Sequence, residues 1–137
     1  MSVMAVDTSV AVPLLVFAHV AHESVSDWAR GRALVLTGHS LAETYSVLTR
    51  LPGDAKVAPR DAITLIDESF GDAVVIGEDT ARSIHRDLAD RGISGGAVYD
   101  GLVGAAAREN GLVLATRDAR ARGTYEALGV QVELIGS

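Results

Sequence analysis

The chain has 137 residues, 48% hydrophobic and 22% charged, with no cysteine and a net charge of −6. This suits one domain over residues 1–137 in a reducing, cytoplasmic setting, and excludes wholesale disorder, disulfides, thiolate metal sites and thiol nucleophiles. No apolar run nears the roughly 18 residues that cross a bilayer, no basic signal-peptide start precedes Asp7, and the acidic balance argues against a broad basic face for nucleic acid.

Five short apolar runs read as strands: Val3–Val6, Ala33–Leu36, Ala73–Ile76, Leu112–Ala115 and Val130–Leu134. Continuous runs of this length suit strands covered on both faces of a parallel sheet. Between the first two, residues 9–32 read as two helices broken between Phe17 and His22. Pro13 sits awkwardly there, because its missing N–H falls just past the first turn. Ser40 is expected to cap a helix that stops at Pro52-Gly53, and Pro59 to open one that runs to Ser69. Asp79 is expected to cap the next helix, which ends at Gly92, and a further helix from Ala97 to Asn110 is closed by Gly111. The order predicts an α/β chain: a three-layer α/β/α sandwich around a mostly parallel sheet of about five strands, with the direction of the edge strand open. Right-handed crossovers gather the strand carboxyl ends at one edge, where a ligand crevice is expected.

Four carboxylates fall at that edge. Asp7 follows the first strand, Glu43 lies just after the second, Asp100 is early in a helix, and Asp118 follows the fourth strand. Each has an ordinary explanation when taken alone. Asp7 and Asp118 suit turns or helix caps, and Glu43 is spaced from Ser40 as in a capping box. Asp100 resists such a reading, because it shares a helix face with Gly104 and Ala107, with Gly101 adjacent. Small residues let that face pack closely, and a confined carboxylate without a cation is costly. Together the acids, with Lys56 the one lysine and distant from them in sequence, read as a divalent-cation site. All-oxygen ligands favour Mg²⁺ or Mn²⁺ over Zn²⁺.

At these residues the chain resembles the PIN-domain ribonucleases, most closely the VapC-like toxins of bacterial toxin–antitoxin pairs. The resemblance rests on Val6-Asp7-Thr8-Ser9-Val10, Leu41-Ala42-Glu43-Thr44-Tyr45, Tyr99-Asp100-Gly101-Leu102, Leu114-Ala115-Thr116-Arg117-Asp118 and the closing Tyr125-Glu126-Ala127-Leu128-Gly129-Val130. It spans nearly the whole chain. One departure is Gly101 and Gly104, where such proteins more often carry alanine or other small residues. The resemblance implies hydrolysis of RNA phosphodiester bonds with Mg²⁺ or Mn²⁺, inhibition by a cognate antitoxin, and a homodimer. Asp7, Glu43, Asp100 and Asp118 would be catalytic, with Asp7, Asp100 and Asp118 on the metal and Glu43 acting on water or as a ligand. The hydroxyls of Thr8, Ser9 and Thr116 would steady those carboxylates or serve only the turns they stand in. Arg117, Arg120 and Arg122 would meet RNA phosphates or form a solvated surface.

Other features point less far. His19 and His22 complete no zinc pattern, and Gly95-Gly96 lacks the Gly-Lys-Ser/Thr of a phosphate loop. Trp28 and Tyr45 read as core or interface. The alternative to an enzyme is a non-catalytic Mg²⁺-binding signalling module or partner scaffold of α/β fold. A phosphoacceptor domain needs a late lysine that this chain lacks. A dehalogenase-like phosphatase needs a second Asp where Ser9 stands.

Overall fold

Strands β1 (Val3–Val6), β2 (Ala33–Val35), β3 (Leu114–Thr116) and β4 (Val132–Leu134) pair in the order β2-β1-β3-β4, all parallel. The computed structural model describes residues 2–136, so the two ends of the expected 1–137 span lie outside the described residues. Register sets Val3 against Ala33, Ala5 against Leu114 and Thr116 against Leu134. The edge strand β4 is therefore parallel.

Side chains alternate across the sheet, and both faces are covered. Val6, Leu34, Leu36 and Ala115 meet helices α1 (Thr8–Leu15), α2 (His22–Ala29), α3 (Gly38–Thr49) and α4 (Pro59–Ser69) through Val10, Val25, Leu48 and Ile66. Ala5, Val35 and Leu114 meet α5 (Glu78–Asp90), α6 (Ala97–Glu109) and α7 (Ala119–Ala127) through Leu88, Val103 and Tyr125. This is the three-layer α/β/α sandwich. Each fully buried leucine, such as Leu48 or Leu114, contributes about 1.5–3 kcal/mol from its transfer out of water.

The expected third strand, Ala73–Ile76, is reduced to one parallel bridge between Val74 and Thr37. Val74 N–H donates to Leu36 O, and Gly38 N–H donates to Val74 O, both at 3.0 Å. Pairing stops there because its neighbour turns into α3 at Gly38 and Val75 faces solvent. Two expected caps also move. Thr37, not Ser40, caps α3, its hydroxyl accepting from Ser40 N–H at 3.3 Å. Glu43 therefore lies well past the position a capping box requires, and that ordinary explanation for it fails. Gly77, not Asp79, precedes α5, and Glu109 serves that end by accepting from Gly77 N–H and the Thr80 hydroxyl, both at 2.5 Å. Those two bonds hold the exposed Glu109 carboxyl below its usual value.

Pro13 does lie inside α1. The carbonyl it leaves without a helical donor is that of Ser9, and the Arg117 guanidinium donates to it at 3.4 Å. Downstream, the His22 ring bonds Pro13 O at 2.8 Å, tying the end of α1 to α2. The expected glycine stops hold: Gly92 and Gly111 adopt φ of +72° and +66° just past α5 and α6.

Candidate active site

The chain leaves β1 toward β2 on one side and β3 toward β4 on the other, so the strand order reverses between β1 and β3. Open α/β sheets place a crevice at the carboxyl ends of such a pair. A pocket of about 250 Å³ lies there, lined by Asp7, Glu43, Asp100 and Asp118 together with Thr8, Ser9, His39, Tyr99 and Tyr125. Four acids from four separate segments thus share one cavity.

Asp7 is the most constrained. It caps α1, is 6% exposed, and accepts four hydrogen bonds. Its Oδ1 accepts from Ser9 N–H at 3.1 Å and the Ser9 hydroxyl at 2.5 Å. Its Oδ2 accepts from the Thr116 hydroxyl at 2.6 Å and the Tyr125 hydroxyl at 2.7 Å. A carboxylate offers about four lone-pair sites, so all of its acceptor capacity is in use. The hydroxyls are themselves oriented: Ser9 Oγ accepts from Arg117 N–H at 2.8 Å, and Thr116 Oγ1 from Asp118 N–H at 3.1 Å. Each hydroxyl proton is thereby directed at Asp7.

Asp118 caps α7, with Oδ1 accepting from Arg120 N–H at 2.9 Å and Ala121 N–H at 3.4 Å. The exposed Glu43 takes the Thr8 hydroxyl on Oε1. Asp100, in the first turn of α6 and half-buried, accepts no hydrogen bond among the described residues. Burial pushes its carboxyl above the usual range, the charges of Asp118, Asp7 and Glu43 push it further, and His39 pulls it back. Asp100 thus sits amid like charges with no donor of its own among the described residues.

That excess of negative charge is what a divalent cation would relieve, and the hard oxygen donors suit Mg²⁺ or Mn²⁺. As the side chains stand, no three acids or imidazoles among the described residues are disposed to grip one ion. Asp7 and Asp118 are turned onto helix-cap donors and Glu43 onto Thr8. Only Asp100 has all its lone pairs open. The donor set fits the ion in chemistry, and grip requires some of these side chains to rotate.

The arginines divide. Arg117 is engaged with backbone, bonding Gly136 O at 3.3 Å besides Ser9 O. Arg122 lies 3.5 Å from Glu126, and Arg120 is almost fully exposed, 3.8 Å from Asp118. Arg120 is therefore the most exposed of the three, loosely paired with an acid of the pocket.

Three pocket residues escape a reading of the sequence. Tyr125 is 1% exposed, and burial, then the charge of Asp7 and its hydrogen bond, hold its phenol well above its usual pKa, so it remains a donor. The space for its ring comes from Gly104. A Cβ there would meet Leu128 Cδ1 at 3.0 Å and Tyr125 Cδ1 at 3.2 Å. At Gly101 a Cβ would meet Leu88 Cδ2 at 2.7 Å. The small residues beside Asp100 were a visible signal of close packing, but not of what packs there. His39 and Tyr99, the other two, carried no signal beyond the position of Tyr99 next to Asp100.

A PIN-domain family model matches residues 4–127. The chain is 54% identical over 129 residues to Ribonuclease VapC27 of Mycobacterium tuberculosis, covering 94% of both chains. Its fold is similar to a chain of the Rickettsia felis VapBC2 structure, bound to a DNA fragment from their promoter. There the TM-score is 0.68 at 12% identity, covering 98% of this chain and 100% of that one. The fold is also similar to Mycobacterium tuberculosis VapC20, described as a sarcin-ricin loop cleaving toxin. That match has a TM-score of 0.64 at 19% identity, covering 89% and 94% of the two chains.

Proposed function

The chain belongs to the PIN-domain family and, within it, to the VapC ribonucleases, and we propose that it is a metal-dependent endoribonuclease, the toxin of a toxin–antitoxin pair. The observation that carries this reading is the gathering of four carboxylates around one pocket with Asp100 left unpartnered. An anionic phosphodiester would be repelled from such a pocket unless cation charge reverses the local field.

Asp100 would hold Mg²⁺ or Mn²⁺ directly, with Asp118 through its free Oδ2. Asp7 would act through water or by releasing one of its four donors. Bound there, the ion supplies Lewis-acid stabilisation of the phosphoryl oxygens and acidifies a water. Glu43, with Oε2 open, would orient the attacking water or take its proton. In the hydrolysis, water oxygen forms the new P–O bond, the ester P–O bond breaks, and the leaving oxygen gains a proton. The bonds from Thr116, Ser9 and Tyr125 would hold the Asp7 carboxyl in place, which favours a single attack geometry. The exposed Arg120 guanidinium, beside Asp118, would meet an RNA phosphate.

The partners follow from the same reading: an RNA substrate, a cognate antitoxin that covers the site, and a second copy of the chain in a homodimer. A cytoplasmic setting agrees with the lack of cysteine. Among the described residues no helix is long and apolar enough to cross a membrane. The test is incubation of purified protein with total RNA in Mg²⁺, in Mn²⁺ and in chelator. Discrete fragments with either metal and intact RNA in chelator are expected. Intact RNA under all three conditions rejects the reading and leaves a scaffold role.

A further inference from the structure

We propose that His39 and Tyr99 form a stacking platform for one nucleobase of single-stranded RNA beside the acidic pocket. The inference rests on the ribonuclease reading above and adds a base-recognition subsite to it. His39 is in the first turn of α3 and Tyr99 in the first turn of α6. Their rings are stacked, with centroids 5.4 Å apart and planes 17° from parallel. Both line the cavity that holds Asp7, Glu43, Asp100 and Asp118. Tyr99 is nevertheless 57% exposed, so much of this side chain stays open to solvent while it stacks on the imidazole.

The other aromatic side chains are committed elsewhere. Tyr125 and Phe70 are buried. Trp28 donates to Glu133 at 2.7 Å and has Arg32 lying 4.7 Å over its ring. Tyr45 faces a separate apolar groove with Ile63, and Phe17 packs edge-on against His22 in a polar pocket away from the acids. Tyr99 alone is both exposed and on the acidic pocket. Its backbone neighbour Asp100 ties the ring to the reacting centre, so a base on Tyr99 would fix the register of the chain relative to the scissile phosphate. Unpaired bases are held in this way, by stacking on aromatic and histidine planes. The imidazole beneath Tyr99 holds the phenol ring flat to the incoming base.

The experiment mixes wild type, Tyr99→Ala, Tyr99→Trp and His39→Ala with short single-stranded RNAs carrying 2-aminopurine at each position in turn, in Mg²⁺. Fluorescence quenching is read by stopped flow before turnover, and KM and kcat are read afterwards. Wild type is expected to quench 2-aminopurine at one position near the cleaved bond. Tyr99→Ala loses that quench and raises KM by about fivefold to a hundredfold, with a smaller change in kcat. Tyr99→Trp restores both, and His39→Ala falls between. An unchanged quench and KM in Tyr99→Ala, with RNA still cleaved, overturn the platform and leave the ribonuclease reading standing. The platform is equally overturned if Tyr99→Ala loses antitoxin binding but keeps the RNA quench. A wild type that neither binds nor cleaves RNA overturns the ribonuclease reading, and the platform with it.

Discussion

Replacing Tyr125 by Phe removes one oxygen and leaves the buried ring where it is. The lost contact is the 2.7 Å bond from the phenol to Asp7 Oδ2, between a group 1% exposed and one 6% exposed. Water has little access to replace it. A hydrogen bond to a charged, buried partner contributes about 1.5–3 kcal/mol. For 137 residues, unfolding entropy of about 2.1 cal/mol/K per residue converts that to a fall in Tm of roughly 5–10 °C. The assay is thermal unfolding in chelator, extended to a double-mutant cycle with Asp7→Asn. Against a neutral amide the phenol should be worth only about 0.5–1.5 kcal/mol, giving a coupling of about 1–1.5 kcal/mol. Gly104→Ala should mimic part of the loss, because its Cβ would press on the Tyr125 ring. If Tyr125→Phe melts within a degree of wild type, or adds independently to Asp7→Asn, the bond does not hold Asp7 and the reasoning fails.

Other outcomes follow from the same geometry. Asp7→Asn, Glu43→Gln, Asp100→Asn and Asp118→Asn should each lower RNA cleavage by orders of magnitude, and pairs of them should be far from additive in single-turnover assays. Because the folded-state pKa of Asp100 is raised, its contribution is favourable below the ordinary carboxylate value and is lost as pH rises through the folded one. Metal-free wild type should therefore lose stability relative to Asp100→Asn as pH climbs out of the acid range, as measured by melts in chelator. Mg²⁺ at a hundred times its Kd should then stabilise wild type by about 2.7 kcal/mol and the variant less. Arg120→Ala should flatten the salt dependence of RNA binding by about 0.7 in log–log slope per lost phosphate contact. Arg117→Ala should instead lower Tm, since it strips the Ser9 carbonyl of its donor in α1.

The sequence alone determined what depends on neighbours along the chain. β1 is legible from its apolar run, α4 from Pro59 at its first position, and the ends of α5 and α6 from Gly92 and Gly111, because a proline ring fixes φ and a missing Cβ admits positive φ wherever each stands. The placing of the acids at the strand ends was legible too, since Asp7 follows β1 directly and Asp118 lies two residues after β3. Tertiary structure decided the rest. Whether Ala73–Ile76 becomes a strand depends on a neighbour that turns into α3 at Gly38, and Thr37 takes the cap that Ser40 could equally have offered. The awkward Pro13 is tolerated because Arg117, more than a hundred residues away, supplies the missing donor. Tyr125 reaches Asp7 across 118 positions, and His39 meets Tyr99 across α3 and α6, only because the sheet and small residues such as Gly104 bring them together. Periodicity and spacing report which face a residue shares with its own element. The partner on that face is chosen by packing among elements, and in this chain that packing saturates Asp7 and leaves Asp100 open.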